Sequence, residues 1–154
     1  MKRPGMIVSA LAVLAWSWAV SAQEKTITRK DLPAAVEKTV REQSDGATIK
    51  GFSTEIENGK KIFEVQMTVN GHGRDLSIDG QGHLLEIEDE VAFASLPADV
   101  QAGLKKAAGT ATLGKIEALT KAGKLVAYEC VVTSGGKHHE IQVGPDGKKL
   151  AHPE

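Results

Sequence analysis

Asp31-Leu32-Pro33-Ala34-Ala35-Val36 and Ser95-Leu96-Pro97-Ala98-Asp99-Val100 are one helix entry written twice, 64 residues apart. Working outward from them, the agreement persists. Asn58-Gly59-Lys60 answers Ala122-Gly123-Lys124 at the same offset, and Phe63-Glu64-Val65 answers Tyr128-Glu129-Cys130 at 65. Asn70-Gly71 then matches Gly135-Gly136, and Leu76, Ile78 and Leu85 match Ile141, Val143 and Leu150. Apolar positions and turn glycines that agree over this length point to an internal repeat, and a repeat sets the architecture.

Each copy opens with a helix. Asp31 and Ser95 are good N-cap types, and Pro33 and Pro97 fall in the first turn, where a missing N–H costs nothing. Leu32, Val36 and Val40 recur every four residues, as do Leu96, Val100 and Leu104, so each helix carries one apolar stripe. Gly46 and Gly109 mark the exits. Helices this short are marginal alone and must bury the stripe against something.

That something is a meander of strands. Phe63, Val65, Met67 and Val69 alternate with Glu64, Gln66 and Thr68, the period of a strand with one wet face. Asn58-Gly59 and Asn70-Gly71 are hairpin turns of the kind that needs positive φ. Asp79-Gly80-Gln81-Gly82 closes a third turn, answered by Gly144-Pro145-Asp146-Gly147. The pattern predicts strands at 47–57, 60–70, 73–79 and 83–92, then at 111–121, 124–134, 137–143 and 148–151. The expected class is α+β: two tandem repeats, 31–92 and 93–154, each an N-terminal helix on an antiparallel meander sheet of about four strands, preceded by a short segment at 23–30. Helices covering one sheet face leave the other open.

The first 22 residues read as an address. Lys2 and Arg3 supply a positive n-region, Met6 to Val20 is almost wholly apolar, and Val20-Ser21-Ala22 offers a cleavage site, so the mature chain is expected to start at Gln23. The apolar run is shorter than the about 20 residues a membrane span needs. No span is expected after cleavage, and the chain is expected to be exported, periplasmic or secreted.

Cleavage changes the composition. Trp16 and Trp18 leave with the signal, and Phe52, Phe63, Phe93 and Tyr128 remain as the aromatics. Losing Lys2 and Arg3 reduces the 19 basic residues to 17, against 20 acidic ones. Without a basic stripe or exposed aromatics, nucleic acid is not an expected partner. Carbohydrate clefts want aromatic faces too. Cys130 is the single cysteine, so the 132 remaining residues must be held by their core and not by a disulfide.

The helix start Leu-Pro-Ala-Ala-Val, the Glu/Val alternation after a Gly-Lys turn, and the strand that follows each Asp-Gly turn resemble the PepSY-like family over residues 31–151. The resemblance implies an exported bacterial protein, a fold likened to the β-lactamase inhibitory protein, and a ligand-binding or inhibitory role. It brings no catalytic residues. The second copy departs from the pattern in lacking Asn-Gly at Ala122-Gly123 and in carrying Gly103 within its helix, a substitution that weakens a helix by about 1 kcal/mol relative to Ala.

Side chains able to do chemistry do not gather in the sequence. His138 and His139 are strand neighbours and point to opposite faces; His72, His83 and His152 stand elsewhere, and structural zinc wants four converging ligands. Cys130 replaces Val65 on the expected core face and reads as a small hydrophobe. Ser44, Ser53, Ser77, Ser95 and Ser134 lie outside any Gly-x-Ser-x-Gly elbow. No catalytic residue, metal or cofactor is therefore expected.

The feature left is the open sheet face. Glu64, Gln66 and Thr68 lie beside Asp75 and Ser77, with Glu86 and Glu88 following; the second copy offers Glu129, Val131 and Thr133 near His138, Glu140 and Gln142. Joined edge to edge, the copies would present one acidic-polar surface suited to a basic protein or peptide partner. The chain is accordingly expected to be a non-enzymatic binding module, with inhibition of an enzyme as one form of that role. The alternative is a small periplasmic metal-binding protein or hydrolase using His and carboxylate side chains, which would need a pocket gathering His138 or His139 with two carboxylates.

Overall fold

The structure, a computed structural model, describes residues 24–154. The expected signal at 1–22 and the start at Gln23 lie outside the described residues.

Eight strands form one antiparallel sheet in which spatial order equals chain order: β1 (Lys25–Ile27), β2 (Thr48–Glu57), β3 (Lys60–Val69), β4 (His72–Asp79), β5 (Leu84–Glu90), β6 (Thr112–Lys121), β7 (Lys124–Ser134) and β8 (Lys137–Val143). Helix α1 (Ala34–Gln43) precedes β2, and α2 (Ala98–Ala108) precedes β6. Both helices lie on one side of the sheet. Val36 and Val40 of α1 bury against Phe63, Val65, Met67, Leu76 and Ile78. Val100 and Leu104 of α2 bury against Ile116, Tyr128, Cys130, Val132 and Val143. These two apolar clusters share no residue. What joins them is the pairing of β5 with β6, five residue pairs from Glu86↔Lys121 to Glu90↔Glu117. The sheet is therefore continuous while the core is double.

The helix starts differ from the expectation. Asp31 and Ser95 do not cap α-helices; each ends a short 3-10 turn, Arg29–Asp31 and Phe93–Ser95. The Asp31 carboxylate accepts hydrogen bonds at 2.8 Å from the Thr28 backbone N–H and hydroxyl, while Ser95 Oγ donates to the Ala92 carbonyl. The cause is the proline. A residue before proline is driven out of the helical region, and Leu32 and Leu96 are extended, with ψ of 133° and 152°. Each helix thus begins one residue after its proline, which takes the N-cap position itself.

Three strand expectations also need correction. The segment 25–27 pairs with β2 as an edge strand, although three residues are too few to show a period. β5 ends at Glu90, short of the expected 92, and Val91 and Phe93 beyond it pack on the second cluster. The strand expected at 148–151 shrinks to a single bridge, Val143↔Lys149. The turn at 144–147 is closed by Gly144 N–H donating to Lys148 O at 2.8 Å, and Gly147 is pressed onto the helix. Beyond it the tail turns so that Glu154 N–H reaches Gln142 Oε1 at 2.8 Å.

Helix-to-turn contacts position both helices. Gly82, between β4 and β5, packs on Ala35, where an added Cβ would stand 2.6 Å from the Ala35 carbonyl oxygen. Thr39 Oγ1 donates to Gly82 O at 2.5 Å. At the matching place in the second half, Gly147 packs on Asp99, and Gly103 stands where the first half has Thr39. A Cβ on Gly103 would come within 2.0 Å of Gly147 O. The first helix is tied to its turn by a hydroxyl, the second by backbone lying against backbone.

Candidate binding face

Sheet register decides which side chains share the side away from the helices, because directly opposed residues point the same way. One row across the strands reads Ser53, Glu64, Ser77, Glu86, Lys121. The next reads Gln66, Asp75, Glu88, Leu119, Ala127. A third runs Glu90, Glu117, Glu129, Gln142, and Val131 stands opposite Glu140. Thr68 lies opposite Gly73, and Thr133 opposite His138. Glu64, Gln66, Thr68, Asp75, Glu86, Glu88, Glu129, His138 and Glu140 thus all sit on this one face.

They do not form one compact group. Thr68 on β3 and His138 on β8 are five strand spacings apart, about 24 Å. The residues brought together are those at the centre, where β4, β5 and β6 meet. There Asp75, Glu88 and Glu117 each bring a carboxylate oxygen to within 4.8 Å of the others. Glu117 is the most enclosed of them, 5 % exposed. The countercharge is Lys115, whose Nζ lies 2.8 Å from Glu117 Oε1.

Burial sets the electrostatics here. It pushes the Glu88 carboxyl up to about 8, with the negative charges of Glu117, Glu86 and Glu129 adding to the shift. Burial also raises Asp75, against the pull of Lys115 and with the push of Glu117 and Glu64. Glu129 is raised by burial too, partly offset by Gln142 Nε2 donating to its Oε2 at 2.7 Å. For Lys115, burial draws the ammonium down, but the hydrogen bond to Glu117 and the charges of Glu117, Asp75 and Glu88 outweigh it and hold it above the ordinary lysine range.

The face is less uniformly acidic than the sequence suggested. Lys121 Nζ meets Glu86 Oε2 at 3.2 Å, and Ser53 Oγ donates to Glu64 Oε2 at 2.5 Å. Leu119 is only 3 % exposed, so an apolar side chain sits within it. These contributions come mostly from β6, which the sequence reading passed over on this face. Lys115, Glu117, Leu119 and Lys121 do alternate with Ile116 and Ala118, the signal that could have found them. Two register irregularities, between Leu113 and Ile116 and between Leu119 and Thr120, blur that period.

The histidines are dispersed. His138 Nδ1 lies 2.9 Å from Thr133 Oγ1, His83 Nδ1 is 2.9 Å from Asp79 Oδ2, and His139 pairs opposite Val132 on the other face. A shallow cleft of about 300 Å³ lined by Val131, His138, His139 and Glu140 holds one carboxylate. The pocket with two carboxylates that an enzyme or metal carrier would need is not found there. Cys130 is fully buried, and burial raises its thiol above the ordinary cysteine range, the reverse of nucleophile activation. Among the described residues, no helix is long and apolar enough to cross a membrane.

Comparison with solved structures identifies the fold. A BLIP-like protein from Bacteroides fragilis superposes with a TM-score of 0.59 at 17% identity, covering 77% of this chain and 83% of that one. A DUF2874 family protein from Bacteroides ovatus gives 0.61 at 12% identity, covering 77% and 84%. A protein from Bacteroides eggerthii described as periplasmic gives 0.64 at 11% identity, covering 77% and 86%. The chain therefore has an α+β fold of the BLIP-like kind. No protein-family model matches it, and no curated protein matches it in sequence.

Proposed function

We propose that this chain is an exported, non-enzymatic binding module built from two tandem PepSY-like units, 31–92 and 93–154, which recognises a protein or peptide through the open sheet face. The observation that carries the reading is the continuity of that face across β5 and β6. Both halves contribute to one surface opposite the helices, and its side chains are carboxylates, amides, hydroxyls and lysines around a buried leucine. Wet and apolar groups side by side are the composition of a recognition surface rather than of a catalytic cleft. Excess carboxylate favours a partner with a basic patch, through complementary potential. The fold likeness to BLIP-like proteins and to a protein described as periplasmic supports both the inhibitory form of this role and the bacterial periplasm. The signal-like first 22 residues agree with export.

Gln66 and Glu140 are exposed on this face, on strands from the two halves. Mature protein and a Gln66→Arg/Glu140→Arg variant are immobilised in parallel and exposed to an envelope extract from the native host. The reading expects a protein retained by the first and lost by the second, with unchanged melting temperature. Equal retention by a correctly folded variant would refute the face as the binding surface.

A further inference from the structure

The β5–β6 pairing is a seam in two senses. It is the strand pairing that joins two apolar clusters with no residue in common, and it is five residue pairs long. On the open face, like charges straddle it. Glu88 of β5 is flanked by Asp75 on β4 and lies near Glu117 on β6, with carboxylate oxygens of all three within 4.8 Å. Glu86 and Glu90 stand on either side of it on its own strand, Glu129 on β7 is opposite Glu117, and Glu64 on β3 is opposite Ser77, the neighbour of Glu86 on β4. The cations on this side of β6 are Lys115 and Lys121, and each is already paired, with Glu117 at 2.8 Å and Glu86 at 3.2 Å. A full negative charge on Glu88 would enter a partly buried place whose two nearby cations are engaged.

We infer that the seam is a proton-dependent junction: a proton held between Asp75 and Glu88, beside the Glu117 carboxylate, keeps β5 on β6, and its loss as pH rises loosens the seam before either apolar cluster opens. Nothing in this depends on the binding reading above, and the two can fail separately. The sign follows from linkage. The Glu88 carboxyl is raised in the closed seam, to about 8 from 4.5, mainly by burial. An opened seam exposes it to water and returns it to the ordinary range. Closure is therefore fully favoured below about pH 4.5 and weakens as pH climbs towards 8. Above that it levels off, because the closed form has then lost the proton too. Asp75, also raised, acts in the same direction. The slope can reach about tenfold in the opening constant per pH unit.

The experiment is amide hydrogen exchange on the mature protein at several pH values from 5.5 to 9 in chelating buffer, each rate corrected for intrinsic exchange. Peptides covering 84–90 and 112–121 report the seam, and those covering 60–69 and 124–134 report the clusters. The wild type is expected to lose seam protection by at least about tenfold between pH 5.5 and 8, then to level off, while the cluster peptides keep theirs. Glu88→Gln should remove the pH dependence. Glu64→Gln, a carboxylate on the same face but held by Ser53, should retain it. If Glu88→Gln fails to fold, Asp75→Asn serves instead and should reduce the loss. Seam protection that does not change with pH, or that falls equally in Glu88→Gln, overturns the inference; so does a fall shared equally by the cluster peptides.

Discussion

Replacing Gly103 by Ala tests the packing of the second helix with a result opposite in sign to helix propensity. On propensity alone, a glycine in mid-helix is a defect, and Ala there should stabilise by about 1 kcal/mol. The structure places a steric cost against that gain. An Ala Cβ would lie 2.0 Å from Gly147 O, 2.8 Å from its carbonyl carbon and 3.0 Å from its Cα, all backbone atoms. Ordinary contact begins near 3.4 Å, so the helix and the turn must separate by more than 1 Å. The turn has little freedom to yield, since Gly147 itself packs on Asp99 O and Gly144 N–H is bonded to Lys148 O. Overpacking of this kind costs about 1–3 kcal/mol and at times more. Because the contact is backbone on backbone, the upper end applies, and a net loss of about 2 kcal/mol is expected after the propensity gain. Urea denaturation followed by circular dichroism measures it as a lower midpoint with unchanged slope. Gly109→Ala is the control: it has φ of 59° and ψ of -110°, a region close to glycine-only, but open space around it, so its cost of about 1–3 kcal/mol comes from backbone conformation alone. A Gly103→Ala protein as stable as wild type, or more so, would refute the close-approach argument.

Cys130→Val should change stability by less than about 1.5 kcal/mol, because Val65 holds the corresponding buried position in the first half; rapid labelling of native Cys130 by a thiol reagent would contradict this burial. Ala122 is a non-glycine residue at φ 48° in a hairpin whose counterpart is Asn58 at 49°, so Ala122→Asn should raise the melting temperature by a few degrees, a gain of up to about 1 kcal/mol. Thr39→Ala removes the hydroxyl that holds α1 to Gly82 and should cost about 1 kcal/mol by chemical denaturation. Calorimetry at pH 6 should give one transition with equal calorimetric and van't Hoff enthalpies, since each cluster is small and the shared sheet couples them; two resolved peaks would show that the seam transmits too little.

Most of this architecture was legible because period and punctuation agreed. Phe63 to Val69 alternates cleanly, the Asn-Gly turns fall where positive φ is needed, and the matching of Val65 with Cys130 placed two buried residues without any knowledge of contacts. The open face was readable for the same reason: a strand with one apolar side announces the other. What could not be read was non-local. Leu32-Pro33 looked like a helix start, yet the constraint of proline on its predecessor delays the helix. Gly103 looked like a flaw, and only the turn at 144–147, forty residues on, explains it. Glu117 is an acidic residue in a polar alternation, and its burial depends on Asp75 and Glu88 arriving from other strands. Leu150 carried the apolar match to Leu85, but the strand expected there shrinks to a single bridge at Lys149, because the tail turns towards Gln142.

The order of the strands in space is their order in the chain, with each of the seven pairings made between successive strands. Four of those pairings close through tight hairpins, at Asn58-Gly59, Asn70-Gly71, Ala122-Gly123 and Gly135-Gly136. Folding can therefore proceed by local zipping, each new strand finding its template in the one just formed. The expensive closures are those that must carry a helix across, from β1 to β2 and from β5 to β6, since loop entropy is spent there before contacts return it. The seam is thus the slow kinetic step within an otherwise local topology. A chain folding from its N-terminal end completes β2 to β5 with α1 before α2 is available, leaving the edge of β5 as the template that the second half must find.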